Sequence, residues 1–272
     1  MRAWLDGVLL NDPSGPAISL ADHGFTVGDG VFEAIKVVDG QPFAIERHLD
    51  RLLVSAAGLG LPSVDLDAVR AGVAAVLDGH HLALGRIRIT VTAGPAPLGS
   101  GRGDHPPAVA VVAAPMDPMP ASAAIVTVPW RRNEHGALAG LKTTSYAENV
   151  VALAEARRRG ASEAVFANLA DHLCEGTGSN VFYVVDGELR TPTLASGCLA
   201  GVTRRLVLDW FGGREVDEPI QIAEQADEVF LVSTTRDVQS VVRWGDRELE
   251  TGPVTQAVAA TWRAREGELL GS

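Results

Sequence analysis

Residues 140–160, GLKTTSYAENVVALAEARRRG, decide how the chain folds and where its chemistry lies. The spacing predicts a helix over 145–159. Its closing arginines, Arg157 to Arg159, stand where the helix dipole favours cations, and Gly160 is a natural stop. Lys142 stands at the entry to this helix. Tyr146, four residues on, shares a face with it if the helix starts early enough. Only Lys36 and Lys142 among the 23 basic residues are lysines; the rest are arginines. Arginine replaces lysine as a surface charge but not as an amine nucleophile, because a guanidinium keeps its proton in proteins. Each lysine is therefore a candidate for chemistry, and Lys36, inside a predicted strand, is read as a strand-face residue.

Working outward, the first half predicts a hairpin turning at Asp6-Gly7 and a short strand over 17–20. A glycine-rich loop, HGFTVGDG (23–30), leads into a strand over 31–38 that ends at Asp39-Gly40. Helices follow over 46–59 and 65–79, then strands over 86–91 and 108–113. The proline-punctuated tract 116–123 is the linker candidate, dividing an N-terminal domain, 1–115, from a C-terminal domain, 124–272. Beyond it the pattern predicts strands over 124–129, 163–167, 180–185, 228–232 and 238–244. Helices are predicted over 202–211 and 253–265. Mixed helices and strands in both halves give an α+β (α/β) protein of two domains.

Composition narrows the function. The chain has 272 residues, 46% of them hydrophobic, and a net charge of −11. Such an acidic chain is a poor binder of nucleic acid. Its apolar stretches are too short and too broken by proline to span a membrane. The first ten residues show no signal-peptide core, and two cysteines make neither a disulfide framework nor a zinc site, so a reducing cytoplasm is expected. The seven histidines show no ligand spacing, and no metal is expected.

Several residue types converge on one chemistry. Glu175 lies in CEGTGSN, a loop-like tract able to hold a carboxylate against a ligand. LAGVTR (199–204) places small residues and Thr203 at a helix start, where free N–H groups and the dipole attract phosphate. Arg51 offers a charged phosphate contact, and Thr234 a hydroxyl at a strand end. An amine, a carboxylate, a phenol and a phosphate cup are the groups that pyridoxal 5′-phosphate requires.

The ordered series GDGVFE (28–33), HLDRL (48–52), LKTTSYAENVVALAEA (141–156), EGTGSNVF (175–182), TPTLASGCLAGVTR (191–204) and ADEVFLVST (226–234) resembles the class IV, or fold type IV, pyridoxal-phosphate family. The resemblance runs from about residue 4 to 245. It covers branched-chain and D-amino-acid aminotransferases, R-selective amine transaminases and aminodeoxychorismate lyase. It implies a small N-terminal α/β domain, a larger β-barrel-like C-terminal domain, a cofactor between them, and homodimers whose loops close the neighbouring pocket. Lys142 matches the Schiff-base lysine and Glu175 the partner of the pyridine nitrogen. Arg51, Gly201, Val202, Thr203 and Thr234 match the phosphate site, and Tyr146 a cofactor contact. Arg88 matches an arginine of the branched-chain enzymes; with Phe25 and Glu33 it is expected on the substrate side. The arginine and histidine that D-amino-acid enzymes carry after the glycine matching Gly94 are replaced by Leu98 and Ser100. Arg102, Arg131 and Arg132 are alternative carboxylate ligands. The implied reaction moves an amino group from a small amino acid to a 2-oxo acid such as 2-oxoglutarate or pyruvate. The alternative is a lyase releasing pyruvate and 4-aminobenzoate from aminodeoxychorismate.

Overall fold

A computed structural model describes residues 1–272 as two compact units. The first holds Met1–Pro118, Leu141–Tyr146 and Leu269–Ser272; the second holds Met119–Gly140 and Ala147–Glu268. One boundary between the units lies at 118–119, and residues 122 and 123 belong to a strand. The lysine-bearing segment 141–146, assigned from sequence to the C-terminal half, packs with the first unit instead.

The first unit carries strands β1 (Arg2–Leu5), β2 (Val8–Leu9), β3 (Gly30–Val38), β4 (Gln41–Pro42), β5 (Leu84–Thr92) and β6 (Ala108–Pro115). They form one antiparallel sheet in the order β2-β1-β6-β5-β3-β4. Its helices are α1 (His23–Thr26), α2 (Ile45–Leu59) and α3 (Leu66–Leu77). The apolar stripes of α2 and α3, including Leu49, Leu52, Val69, Val73 and Val76, bury against Val31, Ile35, Ile87, Ile89 and Val111 of the sheet. The strand expected over 17–20 does not form; that tract is irregular, and α1 lies within the predicted glycine loop. Asp22 caps α1 by accepting from Gly24 N at 2.8 Å, and Thr92 Oγ1 donates to its other oxygen at 2.7 Å. Those bonds supply the local stop-and-turn chemistry that alternation alone does not reveal.

The second unit contains β7 (Ser122–Arg132), β8 (Glu163–Asn168), β9 (Leu173–Gly176), β10 (Asn180–Val185), β11 (Glu188–Pro192), β12 (Arg214–Val216), β13 (Glu228–Ser233), β14 (Asp237–Trp244) and β15 (Arg247–Glu248). Their order is β12-β11-β10-β13-β14-β7-β8-β9, with β15 on β14. The residues following β12 bridge its two ends. Leu173 N donates to Glu218 O at 3.0 Å, and Ile220 N to Asp171 O at 3.0 Å. The sheet therefore curls into a barrel-like body around Ile125, Val165, Val181, Tyr183, Leu231, Val241 and Trp244. Outside it lie α4 (Ala147–Arg158), α5 (Val202–Trp210) and α7 (Pro253–Arg265), while α6 (Ile220–Glu224) buries Ile220 and Ala223 in that core. The buried Ala152 and Ala156 of α4 let it pack closely on Val126, Val128, Ala164 and Phe166.

Candidate active site

In the first unit, β3 sorts the site by alternation. Glu33 shares the helix-facing side with Val31 and Ile35, whereas Phe32 faces the other way. Segment 141–146 runs along the first half of β3. Phe32 N donates to Lys142 O at 3.0 Å, Thr144 N donates to Gly30 O at 2.8 Å, and Val31 bridges Thr143. Lys142 N donates to Ser55 Oγ of α2 at 3.1 Å. The same alternation brings Lys142 to Phe32, its Nζ 4.2 Å from the ring centroid and 5.7 Å from that of Tyr146. Tyr146 meets Phe32 edge-on, with centroids 5.2 Å apart. Arg88 of β5 lies on Phe32 as well, its Cζ 3.9 Å from the centroid. The structure thus gathers Lys142, Tyr146 and Arg88 around one phenyl ring.

Thr144 Oγ1 and Ser145 Oγ donate to Gly28 O at 2.8 and 3.0 Å. Gly28 has φ +72°, a left-handed conformation suited to glycine, and a Cβ there would press on Ser145 Oγ at 2.7 Å. The glycine loop thus fixes the lysine segment, which its composition did not disclose.

Glu33 departs from its expected place. It is 0% exposed, as is His48, and its oxygens accept from Arg51 Nε at 2.8 Å, Arg51 Nη2 at 2.7 Å and His48 Nδ1 at 2.7 Å. Its place on the helix side of β3 therefore makes it a partner of Arg51, not a substrate-lining group. Burial would raise its pKa, but the charge and hydrogen bonds of Arg51, with His48, outweigh that and hold it at about 2. Burial lowers the pKa of His48, so its ring is neutral, with Nδ1–H donating to the carboxylate. Phe25, expected on the substrate side, is 70% exposed on α1.

In the second unit, Glu175 belongs to β9 and not to a loop, paired with Phe166 of β8. Its Oε2 accepts from Leu199 N at 2.9 Å. Its Oε1 lies 3.3 Å from Arg132 Nε, an ion-pair distance at which Nε is not aligned for a hydrogen bond. Arg132 stacks on Phe166, Cζ 3.9 Å from the centroid, pairs with Glu148 and donates to Asn149 Oδ1 at 2.7 Å. It reaches Glu175 from the end of β7, beside β8, after a register shift across Pro129, which has no N–H to offer the ladder. Sequence reading missed this partnership because 43 residues and two strand pairings separate the two side chains.

Gly201 caps α5 without a side-chain hydrogen bond, so the first-turn N–H groups keep their capacity for an anion. A Cβ at Gly201 would collide with Asn180 Oδ1, and Asn180 Nδ2 donates to Leu199 O at 2.9 Å. Thr203 is 1% exposed, yet its Oγ1 has no hydrogen-bond partner. An unpaired buried hydroxyl beside an open helix start suits an anion acceptor, so these residues fit a phosphate group. Thr234 is buried directly after β13.

The alternative carboxylate ligands are committed elsewhere. Arg102 binds Asp29 at 2.7 and 2.6 Å and the carbonyls of Leu59 and Gly60. Arg131 binds Asp171 at 2.8 Å, and Arg132 serves Glu175. Arg88 makes no ion pair; Nε donates to Thr90 Oγ1 at 3.2 Å.

Residues 30–244 match the family model described as amino-transferase class IV. The chain is 33% identical to a fold IV-transaminase of Curtobacterium pusillum, covering 95% of this chain and 92% of that one with a TM-score of 0.82. It is 29% identical to the branched-chain aminotransferase of Thermoproteus uzoniensis, solved with norvaline, covering 98% and 94% with a TM-score of 0.89. It is also 26% identical to a D-alanine aminotransferase of Staphylococcus epidermidis over 270 residues, which is 93% of this chain and 92% of the relative.

Proposed function

The chain belongs to the class IV aminotransferases, which depend on pyridoxal 5′-phosphate, and from that premise we propose that it moves the amino group of a small amino acid to a 2-oxo acid. Branched-chain-like and D-amino acids are the donor classes the relatives favour, and R-amines extend them. Homodimeric assembly belongs to this reading. A reducing cytoplasmic setting does too, supported by Cys174 and Cys198, which are buried and unbridged.

When bound, the cofactor supplies an aldehyde that accepts the amino group and an electron-withdrawing ring that acidifies the substrate Cα–H. Lys142 would hold the aldehyde carbon through Nζ and, once the substrate amine displaces it from that carbon, its freed Nζ would take up the proton from the substrate Cα. Glu175 would stay anionic at the ring nitrogen and keep that nitrogen protonated. Leu199 N and Arg132 orient it for this. Thr203, the α5 N-terminus and Thr234 would bind the phosphate, with Arg51 adding charge. Tyr146 would donate to the cofactor's phenolic oxygen, and Arg88, lacking an acidic partner, would bind a substrate carboxylate.

The observation that carries the proposal is the placement of the Lys142 amine on Phe32, beside Tyr146 and Arg88. A half-reaction screen with D- and L-amino acids and R-amines, followed by loss of the bound cofactor's long-wavelength absorbance, tests it. Amine transfer to 2-oxoglutarate or pyruvate supports the proposal. Release of 4-aminobenzoate from aminodeoxychorismate without amine transfer replaces it by the lyase reading.

A further inference from the structure

The carboxylate of Glu33 and the imidazole of His48 have no part in the reaction above, yet both are fully buried where α2 meets β3, and Glu33 binds His48 and Arg51 together. Such a cluster is costly to bury, and a buried pair is weak evidence for stability on its own. Its geometry is specific. Glu33 takes Nε and Nη2 of the guanidinium together, the fork arrangement that fixes both the position and the plane of an arginine. His48 sits one helical turn before Arg51 and anchors the oxygen that also receives Nη2, so the carboxylate cannot rotate away. Arg51 itself is 12% exposed, at the margin of the sealed region.

We propose that Glu33 and His48 are positioning residues that hold Arg51 in the orientation needed to bind the cofactor phosphate. This inference rests on Arg51 being a phosphate ligand. Lysine in place of Arg51 would keep the charge and lose the fork, so the cluster explains why the site calls for arginine. The neutrality of His48 matters to it: a second cation would compete with Arg51 for the single carboxylate charge, whereas a neutral Nδ1–H steadies it without that competition.

The test compares two aldehydes, pyridoxal 5′-phosphate and pyridoxal, which lacks the phosphate, by titrating each into cofactor-free full-length protein. The readout is the ratio of their dissociation constants, with the ³¹P resonance of the bound phosphate as a second signal. Glu33→Gln is expected to shrink the preference for the phosphorylated aldehyde about 10-fold to 100-fold, the range typical of outer partners of a ligating group. His48→Gln is expected to shrink it about 3-fold to 10-fold, since Glu33 stays charged. Neither changes affinity for pyridoxal, and each shifts the ³¹P resonance. In the Glu33→Gln/Arg51→Gln double variant the loss matches that of Arg51→Gln alone. If Arg51→Gln removes the preference while Glu33→Gln and His48→Gln keep the wild-type ratio and resonance, the positioning role is overturned. If Arg51→Gln itself keeps the ratio, the assignment of Arg51 to the phosphate fails instead. Should Glu33→Gln not fold, His48→Gln decides by the same ratio.

Discussion

Replacing Thr203 by valine is expected to move the stability of the cofactor-free protein and its affinity for cofactor in opposite directions. The hydroxyl is 1% exposed and has no partner in the fold. Burying such a group unpaired costs about 1–3 kcal/mol. Valine keeps the branched shape and drops the cost, less a small packing adjustment, so cofactor-free Thr203→Val should gain about 1 kcal/mol. A hydrogen bond to a charged phosphate contributes about 1.5–3 kcal/mol, so the variant should bind pyridoxal 5′-phosphate roughly 10-fold to 150-fold more weakly. Urea unfolding without cofactor measures the first quantity, and absorbance titration measures the second. Since ligand binding adds to stability by mass action, the wild type should overtake the variant as cofactor is raised. A variant less stable than wild type without cofactor and unchanged in affinity would show that the hydroxyl serves the fold, and the phosphate assignment would fall.

Lys142→Ala should lower amine transfer by about 10³-fold or more and abolish the borohydride-trapped adduct seen by intact mass; turnover near wild type would remove the lysine from the chemistry. Glu175→Gln should retain cofactor while lowering kcat by about 10²-fold, since an amide cannot keep the ring nitrogen protonated; steady-state kinetics on the loaded variant would show it. Gly201→Ala forces a methyl onto Asn180 Oδ1 and should cost about 1–3 kcal/mol of stability together with cofactor affinity, read by thermal melts with and without cofactor. Glu33 is held at about 2, below its ordinary 4.5, so its stabilisation is fully present above about pH 4.5 and is lost as the pH falls toward 2. That loss is on the order of 3 kcal/mol, and Glu33→Gln should flatten this acid limb of the unfolding free energy.

The reach of the sequence follows the range of the interactions involved. Lys142 stood out because all but two of the chain's basic residues are arginines, and its environment is set by the short-range pairing of 142–144 with β3. The helices over 45–59 and 66–77 were legible because their apolar spacing is local. Glu33 was misplaced despite a local signal: in VFEAIKV its parity matches Val31 and Ile35, not Phe32, and strand alternation assigns it to the helix side. His48 and Arg51, three residues apart on α2, pointed to the same face. The bond from Leu199 N to Glu175 and the reach of Arg132 to the same carboxylate had no local signature, because they depend on strand order and a proline-induced register shift. The commitment of Arg102 to Asp29 was equally invisible, joining a surface loop to residues 73 positions away.

The interleaving of the two units has a consequence for anyone who would split this chain. A fragment cut at the proline-rich tract would keep β3 but lose residues 141–146, leaving Gly30 O and Phe32 N without their strand partners. It would also lose Leu269, whose carbonyl receives Ala44 N at the entry to α2. The orphaned border of β3 would then be an open template for another fragment's backbone, so complementation from two separately expressed halves should give aggregates unless residues 141–146 travel with the first.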